Sequence, residues 1–335
     1  MRGQWIDPAD GMVTLTNYAK RWSAGKTKLE ARTTELYEEQ LRLHILPYLG
    51  SISLKAISPG HVREWNSQLL KESQLSPNSV AKCYRLLKSI LNTAVEDELI
   101  LRNPCTIKNG GREQYVERPI PSTSEVFALA AEVGLDRRLL ILLAAYAGLR
   151  IGELLALKRR HVDLLHTRIM VNEATVELAH GELLTKEPKS KAGVRTLHIA
   201  PSIMDEVESH LGTYVEGHHD AYLFTGSKGG QLRRAVWFRE WSAARAAIGL
   251  PQMHFHDLRH FHGTVASQEG ATTKEIMRRL GHSSVGAAMV YQHAPDERDA
   301  WLAEAMGRRI DADLKAFSSG TADEVSQTLP LFDAR

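Results

Sequence analysis

The stretch LLILLAAYAGLRIGELLAL, residues 139–157, sets an unbroken apolar run against an arginine, and the nature of that run decides the class of the whole chain. Its apolar part ends at residue 149, well short of the ~20 residues a membrane-spanning helix needs. A helix that is apolar on all sides and too short to span is a buried core helix. No other stretch approaches spanning length, and the N-terminal MRGQWIDPADG lacks the charged-then-apolar pattern of a signal peptide. No membrane partner is therefore expected. Beyond Gly148, Arg150 separates the apolar helix from a new one that starts at IGELLAL. Burying an arginine there is costly unless it meets an anion. Glu153, three residues on, can brace the guanidinium across one helical turn, and a purely structural Arg150–Glu153 ion pair explains the same pattern.

Around this helix the chain reads as mainly α with a small antiparallel β-sheet. At 335 residues, with 43% hydrophobic and 24% charged residues, it has the make-up of a soluble globular protein of two domains. Residues 12–102 are expected to be all helical. TLTNYAKRW opens on a threonine cap, and ARTTELYEEQLRLHILPYLG places Leu36, Leu41, Leu43 and Ile45 near one face before stopping at Pro47 and Gly50. SPGHVREWNSQLL and SPNSVAKCYRLLKSILNTAVEDELI both begin Ser-Pro, a cap followed by proline at the first helical position. Residues 103–119, with prolines, a Gly-Gly pair and mixed charges, read as an interdomain linker. A second domain is expected over 120–310 and a polar tail over 311–335, with an apolar clip at Leu329, Leu331 and Phe332. In the second domain STSEVFALAAEVG and 137–148 read as helices. Helices are also expected over 201–215, 232–248, 256–269, 272–280, 284–293 and 296–309. Segments 167–177, 182–185 and 194–199 alternate as strands, with KSKAGV as a hairpin tip that turns at Ala192 and Gly193.

Charge and cysteines narrow the partners. The 42 Lys and Arg against 40 Asp and Glu give a net charge of only +2. Local clusters matter more than the sum. Segment 186–195 carries Lys186, Lys189, Lys191 and Arg195 against Glu187, and HFHDLRHFH at 254–262 gathers four histidines and an arginine against one aspartate. Such clusters suit a DNA clamp or an enzyme for anionic substrates. Cys83 and Cys105 form neither a disulfide framework nor a metal spacing, so a reducing cytoplasmic setting is expected.

On a helix, His256 and Arg259 of HDLRH share a face and can approach one phosphate, the arginine as a planar fork and the histidine as a proton carrier near neutral pH. His256 and His260 also have the i, i+4 spacing of a zinc helix. Asp257 stands where HExxH has glutamate and no third ligand pattern follows, so no metal is expected. A solvated helix start with His256 near the cap accounts for the cluster without chemistry. Tyr291, in LGHSSVGAAMVYQHA at 280–294, follows His282 by nine positions; taken alone it is an ordinary amphipathic residue with a hydrogen-bonded hydroxyl.

Taken in order, GLRIGEL, SKAG, HDLRH, LGHSS and the tyrosine resemble the tyrosine recombinase family, the phage-type integrases, over roughly residues 12–309. The resemblance implies a two-domain DNA clamp made of a helical core-binding bundle and a recombinase catalytic domain. It makes Arg150 and Arg259 catalytic arginines, Glu153 the acidic buttress, and His256 the histidine of H-x-x-R. His282 falls at a position held by His or Trp, and Tyr291 falls on the nucleophile. Lys191 falls on the β-hairpin lysine, with Lys189 close enough to contest that register. The implied function is site-specific cleavage and rejoining of DNA through a 3′-phosphotyrosyl intermediate, integrating or excising a phage or other mobile element. Arginines and a histidine donor would stabilise charge on the phosphate oxygens, and Lys191 would protonate the leaving oxygen. The phosphotyrosyl bond stores the energy for ligation, so no cofactor is implied.

The implied partners are double-stranded DNA attachment sites, a homo-tetramer on DNA, and accessory DNA-bending or directionality proteins, in a cytoplasmic, nucleoid-associated setting. Helix 296–309 or the clip at 329–332 would dock on a neighbouring subunit, and the small arm-binding domain that often precedes the bundle in that family is expected either to be lacking or to lie outside this sequence. Lys71, Lys82, Arg85 and Lys88, on the polar sides of their helices, with Lys189 and Arg195, are candidate phosphate contacts. The Tyr291 hydroxyl is expected near the end of helix 284–293, directed toward Arg150 and Arg259. The alternative is a degenerate recombinase that binds DNA as a regulator, against which the complete residue set argues.

Overall fold

The computed structural model describes residues 12–72, 74–114, 119–188, 190–289, 304 and 306–315. Its contacts divide the chain into two compact units. One comprises Met1–Pro119, Glu173–Glu187 and Thr225–Glu240; the other comprises Ile120–Asn172, Pro188–Phe224 and Trp241–Arg335.

The first unit is built on α1 (Leu15–Gly25), α2 (Ala31–Gln40), α3 (Leu46–Leu49), α4 (Pro59–Glu72) and α5 (Pro77–Glu96). Side-chain caps start two of them: Thr14 accepts from the Asn17 N–H at 3.4 Å, and Ser76 accepts from the Ser79 N–H at 3.2 Å with Pro77 behind it. Leu15, Ile45, Trp65, Leu87, Ile90 and Leu91 lie at the centre of its core. Between α2 and α3 the chain makes a π turn, Leu41–Ile45, that corrects the sequence expectation. A π turn takes more residues per revolution than an α-helix, so the apolar stripe changes face partway along. Leu41 and Ile45 are buried as expected, whereas Leu36 and Leu43 are exposed. The Trp65 indole N–H donates to the His44 carbonyl inside that turn at 2.7 Å.

Residues 103–114, within the expected linker 103–119, are hydrogen-bonded along α5. Asn103 donates to the Lys88 carbonyl at 2.9 Å, the Ile107 N–H donates to the Tyr84 hydroxyl at 2.9 Å, and Asn78 exchanges two hydrogen bonds with the Gln114 backbone. The antiparallel pair β3 (Ala174–Glu177) and β4 (Leu183–Lys186) also belongs to this unit. Ala179 N–H donates to Glu35 at 2.9 Å, and Lys186 pairs with Glu30.

The second unit wraps α7 (Leu135–Tyr146), buried along Leu139–Ala145, with α6 (Thr123–Glu132), α9 (Pro201–Tyr214) and α11 (Asp257–Gln268) packed on it. A Ser122–Glu125 capping box starts α6, and Tyr146 meets Phe261 of α11 edge to face at 5.7 Å. The unit continues with α8 (Ile151–Ala156), α12 (Thr273–Leu280) and α13 (Val285–Met289), while α10 (Arg234–Ala247) is divided between the units. Its sheet has the order β1-β2-β5, all antiparallel, with β1 (Val162–Asp163), β2 (Arg168–Val171) and β5 (Arg195–His198).

The strand pairing also corrects the sequence expectation. Segment 167–177 is two strands in different sheets, and the β3–β4 turn is at 178–182, where Gly181 has φ +79°. KSKAGV is not a hairpin tip; it links β4 to β5 and contains the 3₁₀ turn Lys191–Gly193. Alternation identifies strands locally, but the partner of each strand is a tertiary choice that it does not encode.

Candidate active site

Three arginines converge on the end of α12. That helix closes with Gly281 in the left-handed conformation, φ +63°. The His282 N–H reaches the Met277 carbonyl at 2.9 Å and the Gly281 N–H reaches the Arg278 carbonyl at 3.3 Å, the paired bonds of a Schellman ending. The next three carbonyls along the chain each accept from a different arginine. Arg195 Nε donates to Arg279 O at 2.7 Å, Arg259 Nη2 donates to Leu280 O, and Arg150 Nη2 donates to Gly281 O at 3.3 Å. Cations are favoured there because the carbonyl end of a helix carries partial negative charge.

Each arginine is held from a second side. Arg259, only 1% exposed, also donates to the Gly148 carbonyl. Gly148 sits at φ +66°, and a Cβ there would lie 2.7 Å from Leu280 Cδ2 and 2.8 Å from His262 Cδ2. Only glycine fits this bend, which delivers Arg150 two residues later as the residue preceding α8. Arg150 Nη1 donates to Glu153 Oε1 and its backbone N–H to Glu153 Oε2, both at 2.9 Å. Arg195 donates to the same two oxygens at 3.1 and 2.9 Å. Burial works against ionisation of Glu153, but the Arg195 hydrogen bond and charge, then the Arg150 backbone and charge, outweigh it and hold the carboxyl below its usual range. Of the triad, Arg150 is the solvent-facing member: its side chain is 39% exposed against 3% for Glu153 and 4% for Arg195.

The histidines gather around the same charges. His256 immediately precedes α11, with its ring 5.0 Å from that of His260 in an edge-on arrangement. His256 is exposed, yet partial desolvation by the protein around it, followed by the fields of His260, Arg259, Arg150 and His282, pushes its pKa down to about 4. His282, half-buried, is pushed down to about 4 by burial and then by Arg259, Arg150, His260 and Arg195. Both imidazoles are neutral near pH 7. Buried His262 is pushed down to about 3, by burial first and then by Arg279, whose Nε donates to His262 Nε2 at 3.2 Å.

Arg150, Glu153, His256, Arg259 and His282 are therefore brought together. Lys191 lies exposed on the turn that ends at Gly193, and the Gly193 carbonyl accepts from Arg195 at 3.1 Å. Tyr291, residues 296–303 of the expected helix 296–309, the clip at 329–332 and Lys189 lie outside the described residues. Arg195 is a correction: expected as a phosphate contact, it is buried within the site with its guanidinium committed to protein oxygens. Its place was detectable, because alternation along β5 puts it on the same inward face as Leu197. Arg85 bonds Glu113 at 2.6 Å and the Gly111 carbonyl at 3.1 Å, and Lys82 pairs with Glu113 at 3.6 Å; Lys71 and Lys88 are exposed on α4 and α5. Among the described residues no three His, Cys, Asp or Glu side chains cluster as metal ligands, and no helix is long and apolar enough to cross a membrane.

The model of the phage integrase family matches residues 124–298, and that of the phage integrase N-terminal SAM-like domain matches residues 14–70. The chain is 34% identical over 313 residues to the putative prophage phiRv2 integrase of Mycobacterium tuberculosis, a match covering 91% of this chain and 82% of that protein. The chain belongs to the phage integrase family of tyrosine recombinases. The integrase fold is found again in the Tn1549 transposon integrase, solved with a circular-intermediate DNA: TM-score 0.76 at 18% identity, covering 88% of this chain and 99% of that one. It is found also in lambda integrase, solved as a tetramer on a Holliday junction: TM-score 0.63 at 17% identity, covering 85% and 78%. The integrase-family match takes in Arg150, Lys191, His256, Arg259, His282 and Tyr291 together.

Proposed function

We propose that this chain is a site-specific DNA recombinase that cleaves and rejoins strands at attachment sites, integrating or excising a phage or other mobile element, with Tyr291 as nucleophile. The observation that carries this is the assembly of Arg150, Arg259 and two neutral histidines, His256 and His282, around one helix end within a chain of the integrase family. A phosphodiester approaching Arg150 meets a positive, partly desolvated pocket in which charge on the non-bridging oxygens is stabilised most. The Tyr291 oxygen attacks phosphorus, neutral His256 accepts the phenol proton, and His282 donates a hydrogen bond to the developing charge. The bond from phosphorus to the 5′-oxygen breaks, and Lys191 gives that oxygen its proton. The phosphotyrosyl bond then serves as donor when a second strand's 5′-hydroxyl attacks.

In this scheme 12–102 is the core-type DNA-binding domain, 103–119 leads from it, 120–310 is the catalytic domain and 311–335 is a tail. DNA recombination of this kind proceeds in the cytoplasm, on a tetramer holding two sites, with accessory DNA-bending or directionality proteins. Exposed Lys71 and Lys88 contribute phosphate contacts. Incubation with a nicked suicide duplex carrying the cognate site tests the scheme. A covalent protein–DNA adduct that disappears in Tyr291→Phe supports it. An absence of adduct on a cognate site that the protein binds would leave a DNA-binding regulator as the better description.

A further inference from the structure

We propose that Arg195 is a positioning residue for strand cleavage, setting both the place and the effective charge of Arg150; the proposal rests on the recombinase function above. Four hydrogen bonds tie its guanidinium to three separate parts of the site. Through the Gly193 carbonyl it holds the turn that carries Lys191. Through Arg279 O it holds the end of α12, from which the chain enters His282. Through a bidentate pair it holds Glu153, and Glu153 grips both the backbone and the guanidinium of Arg150. The fit is close: a Cβ on Gly281 would come within 3.1 Å of Arg195 Nη1.

Charge gives the second half of the argument. Alone, Glu153 would cancel Arg150, and the pair would present no net charge to a phosphate. With Arg195 on the same carboxylate the triad carries one net positive charge, and its exposed end is Arg150. Buried Arg–Glu–Arg triads contribute little to stability compared with apolar packing, so the retention of three charges here fits a task other than holding the fold. A lysine at 195 would keep the charge but lose the fork that spans both Glu153 oxygens.

The test uses the full chain and its suicide duplex, comparing R195Q, R195K and the double variant E153Q/R195Q with wild type. Gel-shift affinity, single-turnover cleavage and thermal midpoint are measured for each. R195Q is expected to bind DNA as wild type does but to cleave on the order of 100-fold more slowly, the scale of an angstrom-size misplacement. R195K is expected to lose less than R195Q, because the ammonium keeps the positive charge beside Glu153 and loses only the two-point grip of the fork. E153Q/R195Q is expected to cleave faster than R195Q, since removing the uncompensated carboxylate frees Arg150; a merely structural Arg195 predicts no such rescue. Unchanged cleavage in R195Q, a loss of cleavage matched by an equal loss of affinity, or a double variant no faster than the single one overturns the proposal. If R195Q does not fold, R195K decides: slower cleavage at unchanged affinity supports the proposal, and wild-type cleavage overturns it. A wild-type protein that forms no adduct would fail the recombinase function itself, so the two failures are distinguishable.

Discussion

Replacing Gly148 by alanine perturbs the site at the point where α7 hands the chain to Arg150. The backbone there has φ +66°, which costs an L-residue about 1–2 kcal/mol. The new methyl would lie 2.7 Å from Leu280 Cδ2 and 2.8 Å from His262 Cδ2. Both are buried neighbours, and relieving such overlap in a packed core costs roughly 1–3 kcal/mol. Together Gly148→Ala is expected to cost about 3 kcal/mol, which lowers the melting temperature of a domain of this size by about 6–12 °C. The shift also displaces the Gly148 carbonyl that holds Arg259, so cleavage falls further than the stability loss alone accounts for. Circular-dichroism melts and single-turnover cleavage well below the melting temperature measure the two effects. Gly212 in α9 is the control: a Cβ there meets nothing within 4 Å, so Gly212→Ala leaves the fold intact and slightly favours the helix. A Gly148→Ala protein that melts and cleaves as wild type refutes the steric argument.

Two further outcomes follow from the electrostatics. His256, His262 and His282 are held below the ordinary histidine value of 6.5, to about 4, about 3 and about 4, so the unfolded chain binds their protons at a higher pH than the folded one. Stability from these groups is complete above pH 6.5 and is lost as pH falls toward 4, so denaturant midpoints should be lower at pH 5 than at pH 7; equal midpoints contradict the burial argument. Cys83 and Cys105 are buried, with thiols raised by burial to about 11 and about 12, so a disulfide reagent at neutral pH should label neither until the protein is denatured; prompt native labelling would refute their placement.

Local chemistry made much of this fold legible from the residues alone. Ser76-Pro77 and the Ser122–Glu125 box announce their helices because capping depends on a few adjacent residues. The apolar run at 139–149 announces a core helix because no other environment accepts it. The π turn at Leu41–Ile45 was hidden, since a 3.6-residue period carried through it puts Leu36 and Leu43 on the wrong side. The KSKAGV hairpin failed for a different reason: β5 takes β2 as its partner, across an intervening hairpin that sequence alternation does not order. In the site, spacing alone made the pairing of Arg150 with Glu153 and the shared face of His256 and Arg259 legible, while the roles expected of them came from the resemblance to recombinases. Arg195 was found but given the wrong task, because whether an arginine faces solvent or a buried carboxylate depends on contacts 42 and 84 residues away in the chain.

The end of α12 acts as a stand-in anion. Like charges brought together in a half-buried pocket repel, and guanidinia gathered there with nothing between them would splay or stay unformed until DNA arrived. Here backbone oxygens at a helix end, worth about half an elementary negative charge in total, occupy one side of Arg150, Arg195 and Arg259. The cationic cluster is thus assembled and oriented by the chain itself, and a phosphate has only to come in against the open side of Arg150. Little of the barrier to strand cleavage then goes into arranging charges, and free sulfate or phosphate should do little to stiffen a site that already carries its own counter-charge.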